Sequence, residues 1–100
     1  MEPELRNEQK ILPPFHIIIE NDDYHTMGFV VEVLQKTFAH PEMVAIELMA
    51  IAHTTGQAVV WTGAKEIGEL KLEQLLTHRE KHYLTGADLG PLKARLEPAV

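Results

Sequence analysis

Ile17-Ile18-Ile19-Glu20-Asn21-Asp22-Asp23-Tyr24-His25-Thr26-Met27-Gly28-Phe29-Val30-Val31-Glu32-Val33-Leu34-Gln35-Lys36 takes the chain from an apolar run, through an acidic turn, into an amphipathic run. Residues 15–20 are rich in β-branched isoleucine and closed by the turn formers Asn21, Asp22 and Asp23, which predicts a strand. Met27, Val30, Val31, Leu34 and Phe38 recur at helical spacing, Thr26 is a natural N-cap, and Asp22 and Asp23 sit near the positive helix start. The spacing therefore predicts a helix from Met27 to Phe38, weakened locally by Gly28. A polar turn between two apolar elements can hold a charged group of a ligand while apolar walls take its greasy part. That arrangement points to recognition more than to catalysis.

Outward from this stretch, Pro41 is placed to open a second helix. Val44, Leu48, Met49, Ile51 and Ala52 form its apolar side, and Gly56 stops it. Ala58-Val59-Val60-Trp61 reads as a second strand. A third helix is expected from Ala64 to Tyr83, with Ile67, Leu70, Leu72, Leu75 and Leu76 as its buried stripe. Gly86 to Pro91 reads as a loop, after which Leu92, Ala94 and Leu96 alternate with Lys93, Arg95 and Glu97 as in a half-buried strand. The order β-α-α-β-α-β implies an α+β domain, a three-stranded antiparallel sheet packed on one face by three helices. Residues 14–98 form this domain, and residues 1–13, polar and Pro-bounded, read as a flexible tail.

One hundred residues suffice for a single modest core. The formal charge of −6 argues against a nucleic-acid partner, since phosphate contacts need a surplus of Lys and Arg. No basic cluster favours an acidic membrane surface, and no apolar run approaches the roughly 20 residues of a membrane span. The absence of cysteine excludes disulfides and thiolate chemistry, and fits a reducing cytoplasm. The acidic N-terminus lacks the apolar block of a secretory signal. The expectation is a cytoplasmic protein without a cofactor.

With the elements placed, the sequence resembles the ClpS family, adaptors that bind destabilising N-terminal residues and deliver substrates to a Clp ATP-dependent protease. The resemblance runs from Pro14 to Glu97. Its most specific motif is Asn21-Asp22-Asp23-Tyr24 followed by Met27-x-Phe29-Val30-Val31-x-Val33-Leu34-Gln35-Lys36. Further matches are His53 with Gly56 and an Ala58-Val59 strand, Ala64-x-Glu66 leading to Glu69-x-Lys71, and Pro91-Leu92 with Leu96-Glu97. Departures are Gly28 where the family usually has an acidic residue, Ala52 where a larger apolar residue is common, the Thr85 to Gly90 loop, and a short tail.

The resemblance implies that Asn21, Asp23 and His53 contact the α-amino group of a substrate's N-terminus. The chemistry agrees, because a small cation with three N–H donors needs acceptors such as an amide carbonyl, a carboxylate and a neutral imidazole. It assigns the side-chain pocket to Met27, Val30, Met49, Ala52 and Leu92, with Asp22, His25 and Thr26 in secondary roles at the turn. Glu66 and Lys71 fall on the family's contact surface for the Clp ATPase, of ClpA or ClpC type. The small Ala52 predicts a pocket that favours larger aromatics.

Read without the family, Asn21, Asp22 and Asp23 are turn formers, Met27 and Met49 are core, and His53 is a dipole partner at a helix end. Val30, Ala52 and Leu92 suit core and pocket equally. Three rival functions carry less. His78 and His82, at i, i+4 on the expected third helix, could grip a metal ion, but Glu80 fits neither short zincin motif. A catalytic His53–Asp23 pair lacks a nucleophile, since the chain has neither serine nor cysteine. A same-fold interaction module, like the ribosomal stalk protein's C-terminal domain, lacks the Asn-Asp-Asp turn and the histidine. A binder that sequesters substrates without delivering them is compatible with the motifs.

Overall fold

The computed structural model describes residues 12–99; most of the expected tail, residues 1–11, lies outside them. Strand β1 (Phe15–Glu20) is followed by helices α1 (Met27–Phe38) and α2 (Glu42–Thr55), then β2 (Gln57–Gly63) and α3 (Lys65–Thr77). A short hairpin of β3 (Glu80–Lys81) and β4 (Asp88–Gly90) precedes the last strand, β5 (Ala94–Pro98). The main sheet has the order β2-β1-β5 with both pairings antiparallel. The expected α+β architecture is present, with the two-stranded hairpin added to it.

Because side chains alternate along a strand, β1 faces two environments. Ile17 and Ile19 point into the core with Val33 and Leu34 of α1, Ala45 and Ala52 of α2, Leu75 of α3, and Leu92. On the other face Ile18, paired with Val59 and Arg95, is also buried. It lies within a polar lattice in which Arg95 donates to Glu20, Glu97 and Gln57, and the alkyl stem of such an arginine covers apolar surface.

The start of α1 is fixed from two directions. The Thr26 hydroxyl accepts from Phe29 N–H at 3.2 Å and itself donates to Glu80 Oε2 at 2.7 Å. Thr26 N–H donates to Glu80 Oε1 at 3.0 Å. A capping box uses an acidic residue three positions on for this last bond; here that position is Phe29, and Glu80 supplies the carboxylate from β3. Gly28, in the first turn, has open space where a Cβ would stand. Gly28→Ala is therefore expected to stabilise the fold by about 0.5–1 kcal/mol, raising Tm by roughly 4–8 °C per kcal/mol in a thermal melt.

Several expectations need correction. Helix α2 begins at Glu42, with Pro41 as its cap, and its Ile51 is exposed. Helix α3 ends at Thr77 rather than Tyr83. Beyond Leu76 no apolar residue anchors another turn, while leaving the helix lets Arg79 pair with Asp88 and Glu80 reach Thr26. His78 is the extended residue closing α3, and the His82 ring accepts from Leu84 N–H, so the two histidines do not share a helical face. The Gly86 to Pro91 segment is not a plain loop: Asp88–Gly90 pairs with Glu80–Lys81, and β5 starts at Ala94 instead of Leu92.

The buried stripe of α3 also has a different phase. Gly68 and Leu75 are buried and Leu72 is half-buried, whereas Ile67, Leu70 and Leu76 are 50%, 61% and 36% exposed. Gly68 determines this. A Cβ there would lie 2.8 Å from Leu96 Cδ1 and 2.9 Å from the Trp61 ring, so the helix touches the sheet through its glycine.

Candidate functional site

Two backbone hydrogen bonds hold the start of the acidic turn, one to the end of α2 and one to the residue before β5. Asn21 N–H donates to Gly56 C=O at 2.9 Å, and Glu20 N–H donates to Lys93 C=O at 2.8 Å. Gly56, at φ 98°, turns the chain out of α2 and so presents that carbonyl. The result is a cavity of about 220 Å³ between the end of β1, the turn, the first turns of α1 and the last turns of α2.

Its polar rim is Glu20, Asn21, Asp22, Asp23, His25 and His53, and its apolar wall is Ile19, Met27, Val30, Met49 and Ala52. Of the five residues expected in the pocket, four line it. Leu92 does not; it is buried in the core beneath. Thr26 faces away as the cap of α1. Glu66 and Lys71 lie on α3, apart from the cavity; Glu66 is exposed, and the Lys71 ammonium sits 6.0 Å from the centroid of the Phe38 ring.

The three cavity carboxylates differ in what they already hold. Glu20 is paired with Arg95 at 2.8 Å. Asp22 accepts from the N–H groups of Tyr24 and His25, both at 2.9 Å, and from the His25 ring. Burial pushes the Asp22 carboxyl upward, but the backbone N–H and ring of His25 and the N–H of Tyr24 outweigh it and hold the group below its ordinary pKa. Asp23 has no bonded partner among the described residues, and neither do the side chains of Asn21 and His53. Asp22 shapes the turn, while Asn21, Asp23 and His53 line the cavity without a side-chain partner among the described residues.

Sequence reasoning missed four participants. Ile19 and Glu20 close one side of the cavity, and the inward alternation of Ile17 and Ile19 was the available signal for the first. Glu80 and the Gly90 carbonyl reach the turn from the hairpin. No local pattern announces them, since each lies more than 50 residues from its partner.

The sequence matches the family model described as ATP-dependent Clp protease adaptor protein ClpS over residues 10–95. It is 35% identical over 79 residues to the ATP-dependent Clp protease adapter protein ClpS of Herminiimonas arsenicoxydans, covering 77% of this chain and 78% of that one. The namesake from Paraburkholderia phymatum is 36% identical over 75 residues, covering 73% of this chain and 72% of the relative. Among solved structures, Agrobacterium tumefaciens ClpS2 bound to L-phenylalaninamide superposes with a TM-score of 0.69 at 30% identity, over 86% of this chain and 96% of that one. The family model spans β1, the turn, all three helices and the first two residues of β5, and the chain belongs to the ClpS family of ATP-dependent Clp protease adaptors.

Proposed function

We propose that the cavity binds the free N-terminus of protein chains beginning with Leu, Phe, Tyr or Trp, and that the protein hands such chains to a Clp ATPase in the cytoplasm. One observation carries this reading: uncommitted acceptors on Asn21, Asp23 and His53 share a cavity with an apolar wall. A terminal ammonium brings three donors and a charge to those acceptors. An internal peptide nitrogen brings one hydrogen and no charge, which leaves acceptors unpaired and opposes binding. The ligand of the Agrobacterium relative, L-phenylalaninamide, carries a primary α-amine next to a benzyl group. An apolar cavity of about 150 Å³ accommodates benzene, so 220 Å³ is enough for a large aromatic side chain.

Burying ~150–250 Å² of such a side chain gives ~4–6 kcal/mol before costs. With charge-assisted hydrogen bonds and association costs, the net is ~8 kcal/mol, a micromolar Kd. That strength suits an adaptor that must release its cargo. Two flexible methionine thioethers in the wall accommodate both branched and aromatic side chains. The site works by holding a chain end, without a nucleophile of its own. Helix α3, with Glu66 and Lys71 in its first turns, is the surface we assign to the Clp ATPase.

The test is titration with peptides that start with Leu, Phe, Tyr or Trp, each with a free and an acetylated N-terminus. Tighter binding of the free forms supports the reading, with the aromatics ahead of Leu. Binding that ignores acetylation overturns it.

A further inference from the structure

The His25 side chain is 5% exposed, yet it meets an acceptor at each ring nitrogen. Nδ1 lies 2.9 Å from Asp22 Oδ2, and Nε2 lies 2.8 Å from the Gly90 carbonyl oxygen. A carbonyl oxygen only accepts, and two backbone N–H groups keep Asp22 ionised. Both nitrogens must therefore donate at once, which only the imidazolium does. A neutral ring would set a nitrogen lone pair against an oxygen lone pair in a buried site.

The surroundings of the ring favour the cation. Asp22 faces it from its own turn, Glu80 from β3 and the Gly90 carbonyl from β4, while the Phe29 ring of α1 stacks on it at 5.4 Å. Behind Gly90 lies the Arg79–Asp88 pair, with Asp88 Oδ1 accepting Gly90 N–H and Lys81 near Asp88. Burial alone lowers the affinity of His25 for its second proton, but Gly90, Asp22 and Glu80 together raise it above the ordinary value.

We propose that His25 is a positioning residue for N-terminus recognition: as an imidazolium it staples the turn bearing Asn21 and Asp23 to the β3–β4 hairpin, so that the hairpin braces the cavity. This rests on the reading that the cavity binds chain ends. The Glu80–Thr26 bonds, one residue further on, make a second point of the same brace. A pKa raised on folding means that the staple's contribution is complete below about pH 6.5 and is lost as pH rises through the folded-state value. Geometry at the acceptors should loosen over that same interval.

The test measures affinity for a Phe-initiated peptide from pH 5.5 to 9 with the wild type and with His25→Gln, whose amide can donate to only one of the two acceptors. Titration of the peptide amine is common to both proteins and cancels in their ratio. The expected wild-type advantage is about tenfold at low pH, shrinking toward unity as His25 loses its proton. A ratio that does not change with pH overturns the staple alone; wild-type binding that ignores the free amine overturns the functional reading instead. Should His25→Gln fail to fold, nitrogen-15 shifts of the wild-type ring decide. Two protonated nitrogens at pH 6, with Asn21 and Asp23 amide signals moving at the same midpoint, support the staple. A neutral ring, or amide signals that stay still, overturns it.

Discussion

Acetylating the N-terminus of a Phe-initiated peptide is expected to weaken binding by two orders of magnitude or more, and Asp23→Ala to weaken binding of the free peptide by about 30-fold. Truncating one partner of a hydrogen-bonded charge pair costs roughly 2–5 kcal/mol when the pair is desolvated. Asp23 is exposed, so the low end, ~2 kcal/mol, applies, and tenfold in Kd corresponds to about 1.4 kcal/mol. Acetylation acts on all three acceptors together, so its effect is larger. The two losses should overlap: with Asp23→Ala, acetylation should matter less than in the wild type, because the strongest acceptor for the ammonium has gone. A calorimetric cycle over both changes reads this directly. Additive losses would mean that Asp23 acts elsewhere. Asp22→Ala should behave differently, since Asp22 holds the turn; its loss should appear in stability as well as in affinity.

The largest stability effect is expected at Leu75→Ala. Leu75 is fully buried where α3 meets the core, and truncating such a leucine costs ~2–5 kcal/mol in lost transfer energy and cavity. A domain of this size has ~5–15 kcal/mol in total, so a fall in Tm of roughly 10–25 °C is expected. The neighbouring Leu76→Ala supplies the control. At 36% exposure it should cost under ~1 kcal/mol. Urea unfolding of the two variants tests the phase of α3, because a helix rotated to bury Ile67, Leu70 and Leu76 would reverse the ranking.

That phase shows where the sequence stopped being informative. Ile67, Leu70, Leu72, Leu75 and Leu76 occupy more than one side of a helix, and hydropathy cannot choose among them. The choice was made by Gly68, whose missing side chain lets α3 approach Trp61 and Leu96. Likewise, nothing in His78-Arg79-Glu80-Lys81-His82 forbids a helix. The helix ends because Glu80 and Arg79 find partners at Thr26 and Asp88, which only folding brings near. Leu92 suited core and pocket equally by composition, and packing put it in the core.

The sequence alone determined β1, the acidic turn and α1, because isoleucine branching, Asx turn chemistry and a threonine cap act within a few residues. It also supplied the acceptor types that we propose receive a chain end, since acceptor chemistry belongs to the residue type. Tertiary structure decided which polar groups around the cavity pair with other described residues. Arg95 pairs with Glu20 across the sheet, and the hairpin carbonyl of Gly90 meets the ring of His25, for which the sequence had suggested only a secondary role at the turn. Pairings over 65 and 75 residues depend on how strands and helices pack, and no local pattern encodes them.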